Sequence, residues 1–459
     1  MKASTVIQSF SSRAFVIYAI LLVFLPNIIN FLFGDGSGDM APTADGILLG
    51  ILCAWTMGFL RNPCNRAIAH LWMSWFFVGC FNSISSFYFI GNAYRPVFGA
   101  AEVIYFSFLL AFLIAMVSVE KITGAKRSEQ TIGDVRGSKW IRLLLIIAAA
   151  AWVSSLVASV GGVPVLTGMD ITDDIYSTSY GPLYGYALVV PVASLIFVIK
   201  ALRGPKIGAL AAAIAIALCI AAAIDGKRFL LIVIFLSGCF ISFRLLGPKK
   251  SKKLAVLFVL SGACAYLAIL ALRQGFNFSR YSDGLIALSY TTGVEFRDFS
   301  IATASHQPGT IANYDWAAST TAAMVNDNVL SAFGYNKGEL VALDSAHAFS
   351  AIFQSQYGIR TGIISELWFA YGWLGLAAIG ALGALVSALS AKCMRSTNNI
   401  QLLNRSLLLG LLASLIMGQS STIAGSVTVL LYINISIAAL RLFFSSPKSL
   451  SGQSAGNGV

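Results

Sequence analysis

The stretch AAAIDGKRFLLIV, residues 221–233, sets Lys227 and Arg228 between two apolar runs. Cations at such a tip have two readings. Their stems can lie along lipid while the heads reach water, with Asp225 as a partner. Alternatively they form an anion site at the membrane edge, where the planar fork of Arg228 holds phosphate oxygens bidentately. Other charged residues fall at the same height: Arg273 ends an apolar run, Arg280 follows seven residues later, and Arg360 and Glu366 precede another run. A pocket shared by these cations is the chemistry their types suggest.

The elements that carry them are membrane spans. The chain is 57% hydrophobic and only 11% charged, with a mean hydropathy of +0.79, whereas soluble domains carry about 25% charged residues. Runs long enough to cross a bilayer fall near residues 14–33, 46–60, 67–90, 97–119, 140–160, 183–199, 207–224, 229–243, 254–272, 370–391, 406–424 and 425–443. We therefore expect an all-α polytopic membrane protein of about twelve spans, within a range of 10 to 14. The last two nearly touch at GQSSTIAGS, and a single re-entrant hairpin is an alternative there.

Lys and Arg in the connecting segments set the orientation. With the N-terminus inside, cytoplasmic segments hold 23 of the 31 basic residues and the outside holds 15 of the 19 acids. Both termini are then cytoplasmic. The net charge of +12 lies in short loops rather than on one face, which argues against nucleic acid as a partner. No outside segment carries a cysteine, so neither a disulfide framework nor a metal or other cofactor is expected. GPKKSKK lacks the glycine-rich loop of a nucleotide site and reads as a basic anchor that touches anionic lipid. Residues 120–139 read as solvated polymer and residues 444–459 as a disordered cytoplasmic tail.

The chain thus divides into spans 1–9 over residues 1–272, an outside segment over 273–369, spans 10–12 over 370–443, and the tail. The outside segment is far longer than a connector and includes GTIANYDWAASTTAAMVNDNVLSAFG, which suits short amphipathic helices on the membrane. Its aromatic residues admit sugar stacking, although packing is the commoner role. In TTGVEFRDFS, Glu295, Arg297 and Asp298 read as mutual ion-pair partners. Glu102, one turn inside a span, is a functional candidate or the partner of a polar neighbour.

Three short stretches resemble the bacterial O-antigen and oligosaccharide repeat unit polymerases of the Wzy type, which are related to the O-antigen ligases. GGVPVLTGMD is similar to the opening of an outside loop in that family, and DGKRFLLIVIF to its Gly-x-Arg stretch, with Arg228 in the arginine position. IISELWFAYGWLGLAAIG resembles the closing signature, with Glu366, Trp368, Phe369, Gly372 and Gly375. His347 followed after ten residues by Gly358 matches a spacing described for some members, and YGIRTG approximates another motif.

The resemblance implies a GT-C-like fold in the bacterial inner membrane, with the large loop between helices 9 and 10 in the periplasm. It implies a metal-independent glycosyltransferase that joins undecaprenyl-diphosphate-linked oligosaccharides, alongside membrane lipid and a chain-length regulator as partners. Arg228, Arg273, Arg280 and Arg360, with Lys227 in a lesser role, would stabilise the diphosphate leaving group. Glu366 is the first choice of base and His347 the second. Each has a plainer reading, Glu366 as a helix cap and His347 as a surface or packing residue. A ligase using the same donor and a polysaccharide transporter or flippase are the alternatives. Against transport stand the lack of repeated halves and of charge at mid-membrane.

Overall fold

The computed structural model describes residues 13–33, 42–90, 98–124, 132–134, 138–160, 162–163, 186–203, 208–223, 228–246, 248–273, 293–353 and 361–444. They form helices throughout, with no strand among the described residues. The first nine are α1 (Arg13–Phe33), α2 (Ala44–Met57), α3 (Pro63–Ile90), α4 (Gly99–Thr123), α5 (Ser138–Val160), α6 (Val189–Arg203), α7 (Gly208–Ala223), α8 (Arg228–Leu245) and α9 (Pro248–Arg273). Five shorter helices follow: α10 (Val294–Ser305), α11 (Trp316–Met324), α12 (Asp327–Ala332), α13 (Lys337–Val341) and α14 (Ser345–Ile352). The chain closes with α15 (Gly362–Tyr371), α16 (Gly375–Met394), α17 (Asn399–Ala413) and α18 (Ser420–Phe444).

Among the described residues, seven segments are long and apolar enough to cross a membrane: Pro63–Ser86, Gly99–Thr123, Ser138–Ala158, Tyr186–Arg203, Gly362–Met394, Asn399–Ile416 and Ser420–Leu442. Four shorter apolar helices accompany them, Arg13–Ile28, Ala44–Met57, Gly208–Ala223 and Phe229–Leu245. The protein is therefore a polytopic helical membrane protein. GPKKSKK is not a loop, because Pro248 starts α9 and the lysines occupy its first two turns.

Small residues let the long helices approach closely, since lipid supplies no hydrophobic drive between them. A side-chain carbon on Gly383 of α16 would meet the Phe112 carbonyl oxygen of α4 at 2.4 Å. Four residues on, Ser387 Oγ donates to the Met116 carbonyl at 2.9 Å. Trp72 of α3 stacks on Phe112 with ring centres 4.1 Å apart, and its Nε1 donates to the Ala413 carbonyl of α17 at 3.0 Å. Three helices thus meet at one indole.

The break between the last two spans falls at residues 417–419, not at 424–425 as the apolar runs suggest. Ser420 opens α18 because its backbone N–H is taken by a distant carboxylate, Glu366. Likewise residues 132–134 are tied to the start of α17, although Gly133 and Asp134 stay exposed. Ile132 is buried, Gly133 forms a parallel bridge with Asn398, and its N–H donates to the Thr397 carbonyl at 2.9 Å. Asp134 pairs with Arg203 at 2.6 Å and accepts from Asn399. Residues 445–459, the expected tail, lie outside the described residues.

Candidate functional site

Four of the five helices of the 293–353 segment begin at side-chain caps, α10 starting instead at Gly293. Asp315, Asn326, Asn336 and Asp344 each accept a hydrogen bond from a backbone N–H in the first turn that follows, which satisfies donors a helix start leaves free. At α14 the cap does more. Asp344 Oδ1 accepts from the His347 backbone N–H at 3.1 Å and lies 2.8 Å from His347 Nδ1. Its other oxygen, Oδ2, accepts from Ser421 Oγ of α18 at 3.1 Å.

Asp344 is buried, whereas the His347 side chain is 61% exposed. A neutral imidazole that donates from Nδ1 to a carboxylate is left with Nε2 as its acceptor nitrogen. In that tautomer the pair is an outward-facing imidazole held by a buried carboxylate, an arrangement able to accept a proton at Nε2.

Glu366 of α15 lies beside it and is only 2% exposed. Its Oε1 accepts from Ser345 Oγ at 2.7 Å, and its Oε2 accepts from the Ser420 N–H at 3.1 Å and from the Ser420 hydroxyl. The carboxylate sits on the first turn of α18, where the helix dipole favours negative charge. Tyr314 donates to the Glu366 carbonyl oxygen at 2.8 Å, and burial pushes the Tyr314 phenol well above its ordinary value. Glu366 thus locks α14, α15 and α18 together and has no lone pair turned to solvent.

The same device recurs at two other buried acids. Glu102 of α4 accepts from the backbone N–H and hydroxyl of Thr43, the cap of α2. Glu120, at the other end of α4, accepts from the backbone of Arg61 and Asn62 at 2.6 and 2.8 Å, where α3 begins. Glu102 therefore pairs with a polar neighbour.

The expected cations are seen in part. Arg228 opens α8 and Arg273 ends α9, with their side chains outside the described residues. Gly238 faces Phe258 and Gly262 faces Phe235, an antiparallel register that brings the two arginine-bearing ends to one end of the hairpin. Arg244 at the opposite end of α8 donates to the Ser396 carbonyl at 2.8 Å, so Arg228 lies at the end away from that basic face. Lys227, Arg280 and Arg360 lie outside the described residues.

The mixed-charge stretch forms α10 and is wedged inside the bundle. Gly293 has φ +81°, and a side-chain carbon on Gly79 of α3 would meet Phe296 at 2.4 Å. Arg297 pairs with Asp298 at 2.7 Å and donates to Ser86 Oγ at 3.0 Å. Burial pushes the Asp298 carboxyl above its ordinary value, and Arg297 draws it partly back. Glu295 instead accepts from Trp75 Nε1 at 3.1 Å.

Reading the residues in order missed Asp344, Ser345, Ser420 and Ser421 as parts of the site. The Asp-x-x-His spacing of DSAH was the available signal, because the residue three after a helix cap faces the cap. Among the described residues no group of three or more His, Cys, Asp and Glu is placed to hold a metal ion. No family model, curated protein or solved structure matches the chain.

Proposed function

We propose that the protein polymerises undecaprenyl-diphosphate-linked oligosaccharide repeat units at the periplasmic face of the bacterial inner membrane. The observation that carries this reading is the Asp344–His347 pair, an oriented and exposed base at the helix-bundle end that bears the 293–353 segment. In this reading α9 joins the seven long and four shorter apolar helices to make twelve spans of a GT-C-like fold. Both termini are cytoplasmic, and the basic end, with Arg203, Arg244 and Arg395, is the inner one.

His347 takes the role of base ahead of Glu366, whose oxygens are occupied. Nε2 accepts the proton from the acceptor sugar hydroxyl as that oxygen attacks the anomeric carbon of the donor. The bond from that carbon to the lipid diphosphate breaks, and the diphosphate leaves with the electron pair. Arg228 and Arg273, with Lys227, Arg280 and Arg360, offset the charge that develops there. Asp344 keeps the imidazole in the accepting tautomer and stabilises the imidazolium that forms.

The test is His347→Ala in cells lacking the gene, with membrane levels of the protein measured alongside the surface polysaccharide ladder. Collapse of the ladder to a single-repeat band supports the proposal. A normal ladder overturns the role of His347. Loss of all glycan on lipid A, single repeats included, points instead to a ligase that uses the same donor.

A further inference from the structure

The 325–343 stretch projects from the bundle as an arm. The larger excursion from Asp315 to Leu343, which includes α11, is closed at its base by the Asp315 N–H, which donates to the Leu343 carbonyl at 2.9 Å, so α11 leaves and α13 returns beside Asp344. Helix α11 runs along α18, and the last turn of α11 is held there. The Met324 carbonyl accepts from Thr428 Oγ1 at 3.0 Å, and a side-chain carbon on Gly425 would lie 3.5 Å from the Ala323 carbonyl.

Thr428 lies eight residues past Ser420, which is about 12 Å along a helix. Ser420–Leu442 is itself a segment long and apolar enough to cross the membrane. The end of α11 is therefore placed along the spanning part of α18 and not above it. Just beyond that level α18 turns Leu431, Tyr432 and Ile435 outward. The arm that starts there exposes Met324, Val329, Phe333 and Tyr335, with Phe333 76% exposed. Its charges are few, namely Asp327, Lys337 and Glu339. Lys337 folds back to donate to the Val325 carbonyl at 2.7 Å, laying its stem along the arm.

We infer that the α12–α13 arm is immersed in the lipid leaflet next to α18, with Phe333 among the acyl chains. The inference needs only that α18 crosses the bilayer and does not depend on the catalytic reading. The exposed apolar side chains Val329, Phe333 and Tyr335 follow directly on the part of α11 that lies against a spanning helix, which favours lipid over a soluble partner for that apolar face, while Asp327 and Glu339 are exposed on the same arm. One consequence is that the Asp344–His347 pair, at the root of the arm, lies at the bilayer surface, where a lipid-linked substrate would present its first sugars.

The experiment places an environment-sensitive fluorophore on Phe333→Cys in full-length protein reconstituted in phosphatidylcholine vesicles. Cys264, the exposed native cysteine, is replaced by Ser. Leu431→Cys serves as the lipid reference, and Ala312→Cys, at an exposed position of the 293–353 segment, as the water reference. The expected result is loss of fluorescence with chain-spin-labelled lipid that matches the Leu431 site, together with protection from aqueous iodide. Quenching by iodide without quenching by lipid overturns the inference, since the arm then stands in water. Protection from both also overturns it, because protein, such as a second copy of the chain, then covers the arm.

Discussion

Glu366 and His347 are neighbours whose surroundings ask for opposite experimental outcomes. Glu366→Gln removes the charge that holds the first turn of α18, and is expected to lower stability by about 1–3 kcal/mol, the worth of a buried charged hydrogen bond. Its thermal midpoint in detergent should fall while the ladder persists at permissive temperature. Asp344→Asn keeps a good helix cap but loses the charge behind the imidazole, so turnover should drop on the order of 10²-fold or more with the midpoint little changed. A loss of turnover at normal stability in Glu366→Gln would return the base to Glu366. Arg297→Ala tests another kind of pair. It strands Asp298 in the interior without its cation, at a cost of about 3–5 kcal/mol. Burial already raises the folded-state value of Asp298, and removing Arg297 raises it further. A raised folded value gives stability that is present in acid and lost as pH rises, so this variant should be weakest at mildly alkaline pH and recover on acidification.

Helix contacts sort glycines that look alike in the chain. At Gly383 an added methyl meets backbone, the Phe112 carbonyl at 2.4 Å, whereas at Gly410 its closest neighbour is the Ser237 hydroxyl at 2.3 Å, a group that can rotate, and the nearest backbone atom is the Val233 carbonyl oxygen at 3.2 Å. Gly383→Ala should therefore cost about 1–3 kcal/mol through overpacking, and Gly410→Ala little, as read from thermal midpoints of the two purified variants. Helix existence was legible from apolar runs, because every long helix of the bundle follows one. Helix ends were less so. Hydropathy is blind to the carboxylate of Glu366, more than fifty residues away, that starts α18 at Ser420. The charges of α10 read as partners of one another, and Arg297 does pair with Asp298, but the contacts of Glu295 with Trp75 and of Arg297 with Ser86 of α3 lie more than two hundred residues away and left no local signal. The caps at Asp315, Asn326, Asn336 and Asp344 stood in plain view and went unread. Of the expected cations only the helix ends at Arg228 and Arg273 are described, and the register of α8 against α9 brings those two ends together.

For the whole molecule, the two ends of the bundle differ in kind. One carries the 293–353 segment with its capped short helices and the Asp344–His347 pair. The other is a lattice of arginines on backbone carbonyls, Arg244 on Ser396, Arg395 on Thr123 and Arg405 on Lys392. In the proposed topology, with both termini inside, Ala312→Cys should react with a membrane-impermeant maleimide on intact spheroplasts, and Asp134→Cys only after permeabilisation. The reverse pattern would invert the proposed topology. The clamp between Glu366 and Ser420 also bears on how the chain is made. Helix α15 leaves the ribosome well before α18, so Glu366 and Asp344 enter the membrane with two of their hydroxyl partners not yet synthesised. Arrival of the final helix satisfies both acids in one step. A chain stopped short of Ser420 would leave one oxygen of each buried carboxyl group without its partner, since Asp344 would keep only His347 and Glu366 only Ser345, and the last helix thereby completes the site.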